Sequence, residues 1–176
     1  MKIRKLNQKG FSHFEAIVLI VVLVVIGSVG TFVYSRMHKS HAGSQAFDYP
    51  SAITSDNLGH VWVSNFNGDS VTELNAKDGS LVKVIKGASY GFDGPNAITT
   101  DNLGHVWVAN RSDNSVTELN AKDGSLVKVI KGASYGFNYP YAITTDNLGH
   151  VWVANQGANS VTELNAKDGS LVQVVK

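Results

Sequence analysis

Hydrophobic positions divide the chain into two regimes. From Ala16 to Tyr34 they run as AIVLIVVLVVIGSVGTFVY, nineteen residues without a charge. Beyond residue 46 they come in short runs of four to six, separated by clusters of Asp, Asn, Gly and Ser. At about 1.5 Å per residue, the first regime predicts a helix that nearly spans a hydrocarbon core of about 30 Å. Its Val and Ile are poor helix formers in water. In lipid a helix is required all the same, because every backbone N–H and C=O must be satisfied within the segment. The second regime is periodic: Ile53, Ile98 and Ile143 are equivalent, as are Trp62, Trp107 and Trp152, each set 45 residues apart. A fixed period of this length signals a repeat architecture.

In the middle copy the apolar runs are 96–100, 105–110, 115–120 and 126–131. Asp101-Asn102-Leu103-Gly104 separates the first two and Ala121-Lys122-Asp123-Gly124 the last two. Links of two to five residues containing Asn, Asp and Gly between β-prone runs are hairpin signals. The second run, Val106-Trp107-Val108-Ala109, is apolar on both faces, as suits a strand covered on both sides. The fourth alternates Val127-Lys128-Val129, as suits an outer edge guarded by lysine. Four antiparallel strands graded from buried to exposed describe a propeller blade.

Pro95-x-Ala-Ile-x-x-Asp101, Gly104-His-Val-Trp-Val-Ala-Asn110 and Asn114-Ser-Val-Thr-Glu-Leu resemble NHL and YVTN-type propeller repeats. They are also similar to the blades of virginiamycin B lyase-like proteins. The resemblance spans residues 47–176 and implies a blade ordered from an inner first strand to an outer fourth. Lys9-Gly10-Phe11-Ser12-His13-Phe14-Glu15, leading into the apolar run, resembles the leader of type IV prepilins. That resemblance implies cleavage after Gly10, N-methylation of Phe11, and a role for Glu15 in registering one subunit against the next. His13 departs from the apolar residue usual there. The other reading is an uncleaved signal anchor.

The expected fold class is therefore all-β, with three four-stranded antiparallel propeller blades in an incomplete ring, plus one N-terminal transmembrane α-helix. The expected organisation is a basic leader (1–10), a membrane helix (11–36), a linker (37–46), and blades at 47–91, 92–136 and 137–176. Propellers typically close with about four to eight blades. Three leave two blade faces bare, so self-association or another propeller or pilin-like protein is the expected partner. Two copies closing a six-bladed ring lead among the alternatives, with an open arc, co-assembly and a shortened product behind.

Charge then sets orientation and partner class. Residues 1–46 carry six Lys/Arg against Glu15 alone, whereas residues 47–176 carry nine against thirteen Asp/Glu, a net −4. Four of the basic residues precede the apolar run, which predicts a single-pass protein with its N-terminus cytoplasmic and its repeats extracytoplasmic. A mildly acidic repeat region offers no basic surface to nucleic acid. There is no cysteine, so disulfides and thiolate metal sites are excluded.

Comparing the copies locates the candidate chemistry. The Asp-Asn-Leu-Gly-His and Asn-Ala-Lys-Asp-Gly-Ser turns barely change, while the second-to-third-strand hairpin and the link into each blade vary. In a four-stranded meander those two variable segments emerge on one face, where repeat proteins often bind. That face carries the candidate ligand-binding residues Tyr49, Ser51, Phe66, Asp69, Asn96, Arg111, Asp113, Tyr139, Tyr141 and Gln156. Drift in exposed loops explains the same variation equally well.

His38 and His41 read as solvated linker. His60, His105 and His150 read as partly exposed residues, each of its own hairpin, and Asp56, Asp101 and Asp146 as caps of their own turns. The three tryptophans read as core. No catalytic residue, metal or cofactor is expected. The expected function is a membrane-anchored extracytoplasmic module binding a protein or glycan, a pilin-like surface component being one form of it. The alternatives are a lyase- or lactonase-like propeller enzyme with a metal on its axis, or a truncated fragment. An enzyme needs unlike residues converging from different blades, and near-identical blades supply little of that asymmetry.

Overall fold

The computed structural model describes residues 45–146 and 148–176. The leader, the apolar run and most of the linker, with Gly10, Phe11 and Glu15, lie outside the described residues. Among the described residues no helix is long and apolar enough to cross a membrane.

Twelve strands form three antiparallel four-stranded sheets, each running in chain order. The first blade holds β1 (Pro50–Ser55), β2 (His60–Asn65), β3 (Ser70–Asn75) and β4 (Leu81–Lys86). The second holds β5 (Pro95–Thr100), β6 (His105–Asn110), β7 (Ser115–Asn120) and β8 (Leu126–Ile130). The third holds β9 (Pro140–Thr145), β10 (His150–Asn155), β11 (Ser160–Asn165) and β12 (Leu171–Val175). The innermost strands lie side by side, with β5 between β1 and β9. The three blades thus form part of a propeller ring that does not close on itself.

Turn chemistry explains why the sheets form where they do. Asp56 Oδ1 accepts the N–H of Leu58 and of His60, both at 2.9 Å, which folds the chain back from β1 to β2. The same pair of bonds recurs at Asp101 and Asp146. Between β3 and β4, Asn75 accepts from Lys77 N–H at 2.9 Å and Asp78 from Ser80 N–H at 3.0 Å. Gly79 then takes φ +68°, a left-handed conformation that costs glycine nothing.

Each blade has two chemically different faces. Cross-strand partners share a face, so Trp62, Val71 and Ile85 line the one toward the next blade. Against them pack Ile98, Val106, Val108, Leu119 and Ala121 from the rear of the second blade. The second interface repeats the first: Trp107, Val116 and Ile130 meet Ile143, Val151, Val153, Leu164 and Ala166. Trp62 and Trp107 are fully buried, which makes these two layers the core.

The link between blades is also a core element, which the hydrophobic pattern did not announce. Short 3-10 turns at Ala88–Tyr90 and Ala133–Tyr135 stack Tyr90 on Phe92 and Tyr135 on Phe137, ring centroids 5.5 Å apart in each. Phe92 and Phe137 enter the two interface layers. Thr117 and Thr162 tie each link down by donating to the carbonyls of Tyr90 and Tyr135, at 2.8 and 2.7 Å.

Candidate functional site

The variable hairpins and interblade links share one face, opposite the Asp-Asn-Leu-Gly and Asp-Gly turns. The structure divides the ten candidate residues on that face into three kinds. Ser51, Asp69 and Asn96 are occupied in joining blades: Ser51 Oγ donates to Pro95 O at 2.8 Å, Gly94 N–H donates to Asp69 Oδ1 at 2.9 Å, and Asn96 Nδ2 donates to Tyr141 O at 2.7 Å. Asp113 pairs with Lys131 at 3.7 Å on the rim, and Tyr49 leans on Phe66 at 6.0 Å between centroids.

Arg111, Tyr139, Tyr141 and Gln156 come together across the second and third blades. The Arg111 guanidinium carbon lies 5.5 Å from the Tyr139 ring centroid and 6.0 Å from that of Tyr141. Its Nη2 donates to Gln156 Oε1 at 3.5 Å. Both tyrosines are 52% exposed. Local backbone geometry presents them: Tyr139 holds φ +49°, fixed where its N–H donates to Asn114 Oδ1 at 2.7 Å. Among the described residues Arg111 has no carboxylate partner. A cation seated on aromatic faces keeps its attraction for an anion while its side chain is held in place.

The opposite face carries a second pattern, repeated in every blade. Asp101 Oδ2 accepts from the Trp107 indole at 2.8 Å and lies 2.9 Å from His105 Nδ1. His105 Nε2 faces Glu118 Oε1 at 3.7 Å, and Glu118 Oε2 faces Lys128 Nζ at 4.0 Å. The first blade repeats this with Asp56, His60, Trp62, Glu73 and Lys83. In the third, Gln173 replaces the lysine and its amide donates to Glu163 Oε2 at 2.6 Å.

Each histidine is therefore held by its own blade. Among the described residues no group of three or more His, Cys, Asp or Glu side chains is placed to hold a metal ion. The glutamates of Ser-Val-Thr-Glu-Leu were the part missed by sequence reasoning. The available signal was strand pairing: Trp62 lies opposite Glu73, so a carboxylate shares the tryptophan's buried face.

These surroundings displace several carboxyl groups. Burial alone would raise Asp56, but bonds from the Trp62 indole, from His60 and from Leu58 together hold it below the ordinary value of 3.8. Asp146 is held well below that range, chiefly by the Trp152 indole. Burial pushes Glu118 up, against the opposing charges of His105 and Lys128. A depressed carboxyl contributes stability above its unfolded value and loses it as pH falls through its folded value. Glu118 has the opposite sign, favouring the fold at low pH and opposing it once ionised. The melting temperature is thus expected to hold down to about pH 4 and to fall below it. Circular dichroism melts from pH 7 to pH 2 test this. An unchanged melting temperature at pH 2, or an Asp146→Asn protein with an undiminished acid limb, would contradict the assignment.

Comparison with known proteins agrees with this fold. No protein-family model matches the chain, and no curated protein matches it in sequence. Among solved structures it is similar to hydrazine synthase of Kuenenia stuttgartiensis, at TM-score 0.64 and 20% identity over 78% of this chain and 38% of that one. It is similar to virginiamycin B lyase from Staphylococcus aureus with quinupristin, at TM-score 0.60 and 20% identity over 72% and 41%. A nidogen/laminin complex gives TM-score 0.55 and 19% identity over 72% and 46%. The chain thus spans less than half of each solved chain. Likeness at this level is one of fold, shared by a lyase and a protein–protein complex alike.

Proposed function

We propose that the chain is a membrane-anchored, extracytoplasmic propeller-type binding module whose ligand presents a carboxylate, on a protein or a glycan, to the face carrying Arg111. The observation that carries the reading is the Arg111 guanidinium, set against Tyr139 and Tyr141 and, among the described residues, without a carboxylate of its own. In a repeat region of net negative charge, such a cation has a use if an anion arrives from outside. Aromatic rings and Arg are also the residues in which recognition surfaces are enriched. The apolar run at 16–34 and its basic flank support the anchor. The likeness of residues 9–15 to a prepilin leader supports a pilin-like mode of display.

The test uses the full chain in detergent on immobilised polygalacturonate and on immobilised poly-glutamate. At least one should retain it in a salt-sensitive manner. Arg111→Ala should weaken that retention about tenfold or more, as expected when a hydrogen bond to a charged group, worth about 1.5–3 kcal/mol, is removed. Failure of both matrices, or equal retention of Arg111→Ala, sinks the reading.

A further inference from the structure

The rear face of the first blade and the forward face of the third are two halves of an interface that the chain already makes twice. Ile53 and Leu74 on the first blade occupy the positions of Ile98 and Leu119, which are buried against a preceding blade. Ile53 itself is 67% exposed, whereas Ile98 is buried. At the other end Trp152, Val161 and Val175 occupy the positions of Trp107, Val116 and Ile130. Val161 and Val175 are exposed where their counterparts are buried.

The polar ties repeat in the same way. Thr100 Oγ1 donates to Ser55 O at 2.9 Å, and Thr145 Oγ1 to Thr100 O at 2.8 Å, each inner strand reaching back to the one before. Ser55 stands at the equivalent place on β1 with a hydroxyl to give, and Thr145 O, which takes only a long 3.5 Å bond from Thr144 Oγ1 among the described residues, can accept at the other end. Gly94 N–H donates to Asp69 and Tyr139 N–H to Asn114. Among the described residues, Tyr49 N–H and the Asn159 side chain are the corresponding pair left over. A Cβ built on Gly124 or Gly169 would strike Ile85 or Ile130 of the blade before, yet one on Gly79 meets nothing within 4 Å. The seat for a preceding blade's side chain is present at Gly79.

We infer that the occupant of each face left bare among the described residues is a second copy of this chain, joined head to tail through both ends. The three blades described, taken twice, give six, the one multiple of three within the range of about four to eight in which propellers close. A heterologous contact of this kind closes into a ring when its rotation allows, and two copies then share two identical seams. One tie is altered at those seams. Lys83 and Lys128 donate to the carbonyls of Asp123 and Asp168 in the following blade, but Gln173 in the third blade bonds Glu163 instead. The seam between copies accordingly lacks one tie that the seams within a copy have.

The chain has no cysteine, so introduced thiols report without background. The full chain carrying Ser55→Cys and Thr145→Cys is treated in detergent with a short bis-maleimide. A Ser55→Cys, Thr100→Cys protein, whose thiols lie across an existing seam, sets the positive control for internal linkage. Closure gives a covalent dimer and nothing larger. Adding Ile53→Arg, at a position already exposed in the isolated chain, should cut that dimer at least about tenfold by burying a charge in the seam. Circular dichroism confirms that this variant keeps its sheet. A ladder of trimers and larger species would overturn closure in favour of open-ended growth. Monomer alone, with the internal control linked, would overturn self-pairing and assign the faces to a different protein. None of these outcomes depends on Arg111, so the seam and the ligand face stand or fall separately.

Discussion

Replacing Asp101 with alanine is expected to cost the repeat region about 3–5 kcal/mol, the sum of lost charge-assisted bonds and of donors left buried without a partner. The residue is a short turn aspartate by sequence, yet it serves four donors. Leu103 N–H and His105 N–H give to one oxygen, and the Trp107 indole gives to the other beside His105 Nδ1. The Trp107 side chain is fully buried between two blades, so its N–H cannot turn to water when the carboxylate is gone. A surface cap removed in the ordinary way costs about 1 kcal/mol. The excess over that figure measures the buried part of the network. Urea unfolding followed by circular dichroism gives the number, and a loss below about 1 kcal/mol would show that Asp101 is a turn cap and nothing more. Trp107→Phe made in the Asp101→Ala background should cost less than it does alone, because the indole N–H has already lost its acceptor.

Trp107→Ala and Trp152→Ala delete the same side chain from the same motif and should differ by more than twofold. Trp107 lies in a closed layer between blades, where truncation of an aromatic costs about 3–5 kcal/mol in transfer and cavity terms. Trp152 keeps its bond to Asp146, at 2.9 Å, but no following blade covers it among the described residues. Its loss removes less buried surface and opens no enclosed cavity. The comparison is made at protein concentrations low enough to keep copies apart, since pairing would bury Trp152 as well. Equal costs under those conditions would mean that blade stacking contributes little and that each sheet is stabilised from within.

The blade was legible in the sequence because its signals are local. Asp-x-x-Gly-His fixes one hairpin, Asn-x-x-Asp-Gly-Ser the next, and the apolar Val-Trp-Val between them announces a strand covered on both sides. The second and third strands of the middle repeat stand where the pattern puts them, and the first and fourth differ by one residue at an end. Illegible features were those that need the pairing register or two blades at once. Glu118 reads as a polar residue in a strand, and its pairing opposite Trp107 is what reveals it as a buried carboxyl; Glu163, paired the same way in the third blade, is buried too. Ser51 and Asn96 look like free recognition groups, yet their bonds end on backbone carbonyls of the following blade. Arg111 likewise gives no hint, from its place in a polar hairpin, of the two rings that a different repeat sets beside it.

Near-identical copies carry a hazard that this topology avoids. A chain with three versions of every strand offers each one two false partners as good as the true one. Every neighbour within a sheet here is also the neighbour in sequence, joined by a link of a few residues. Closing so short a loop costs far less entropy than reaching a distant copy, and it is completed sooner. The correct pairing is thus selected by proximity and speed, with no need for side chains that tell the copies apart. Sequence identity among the repeats is left free to serve the seams, where sameness is what lets one blade follow another.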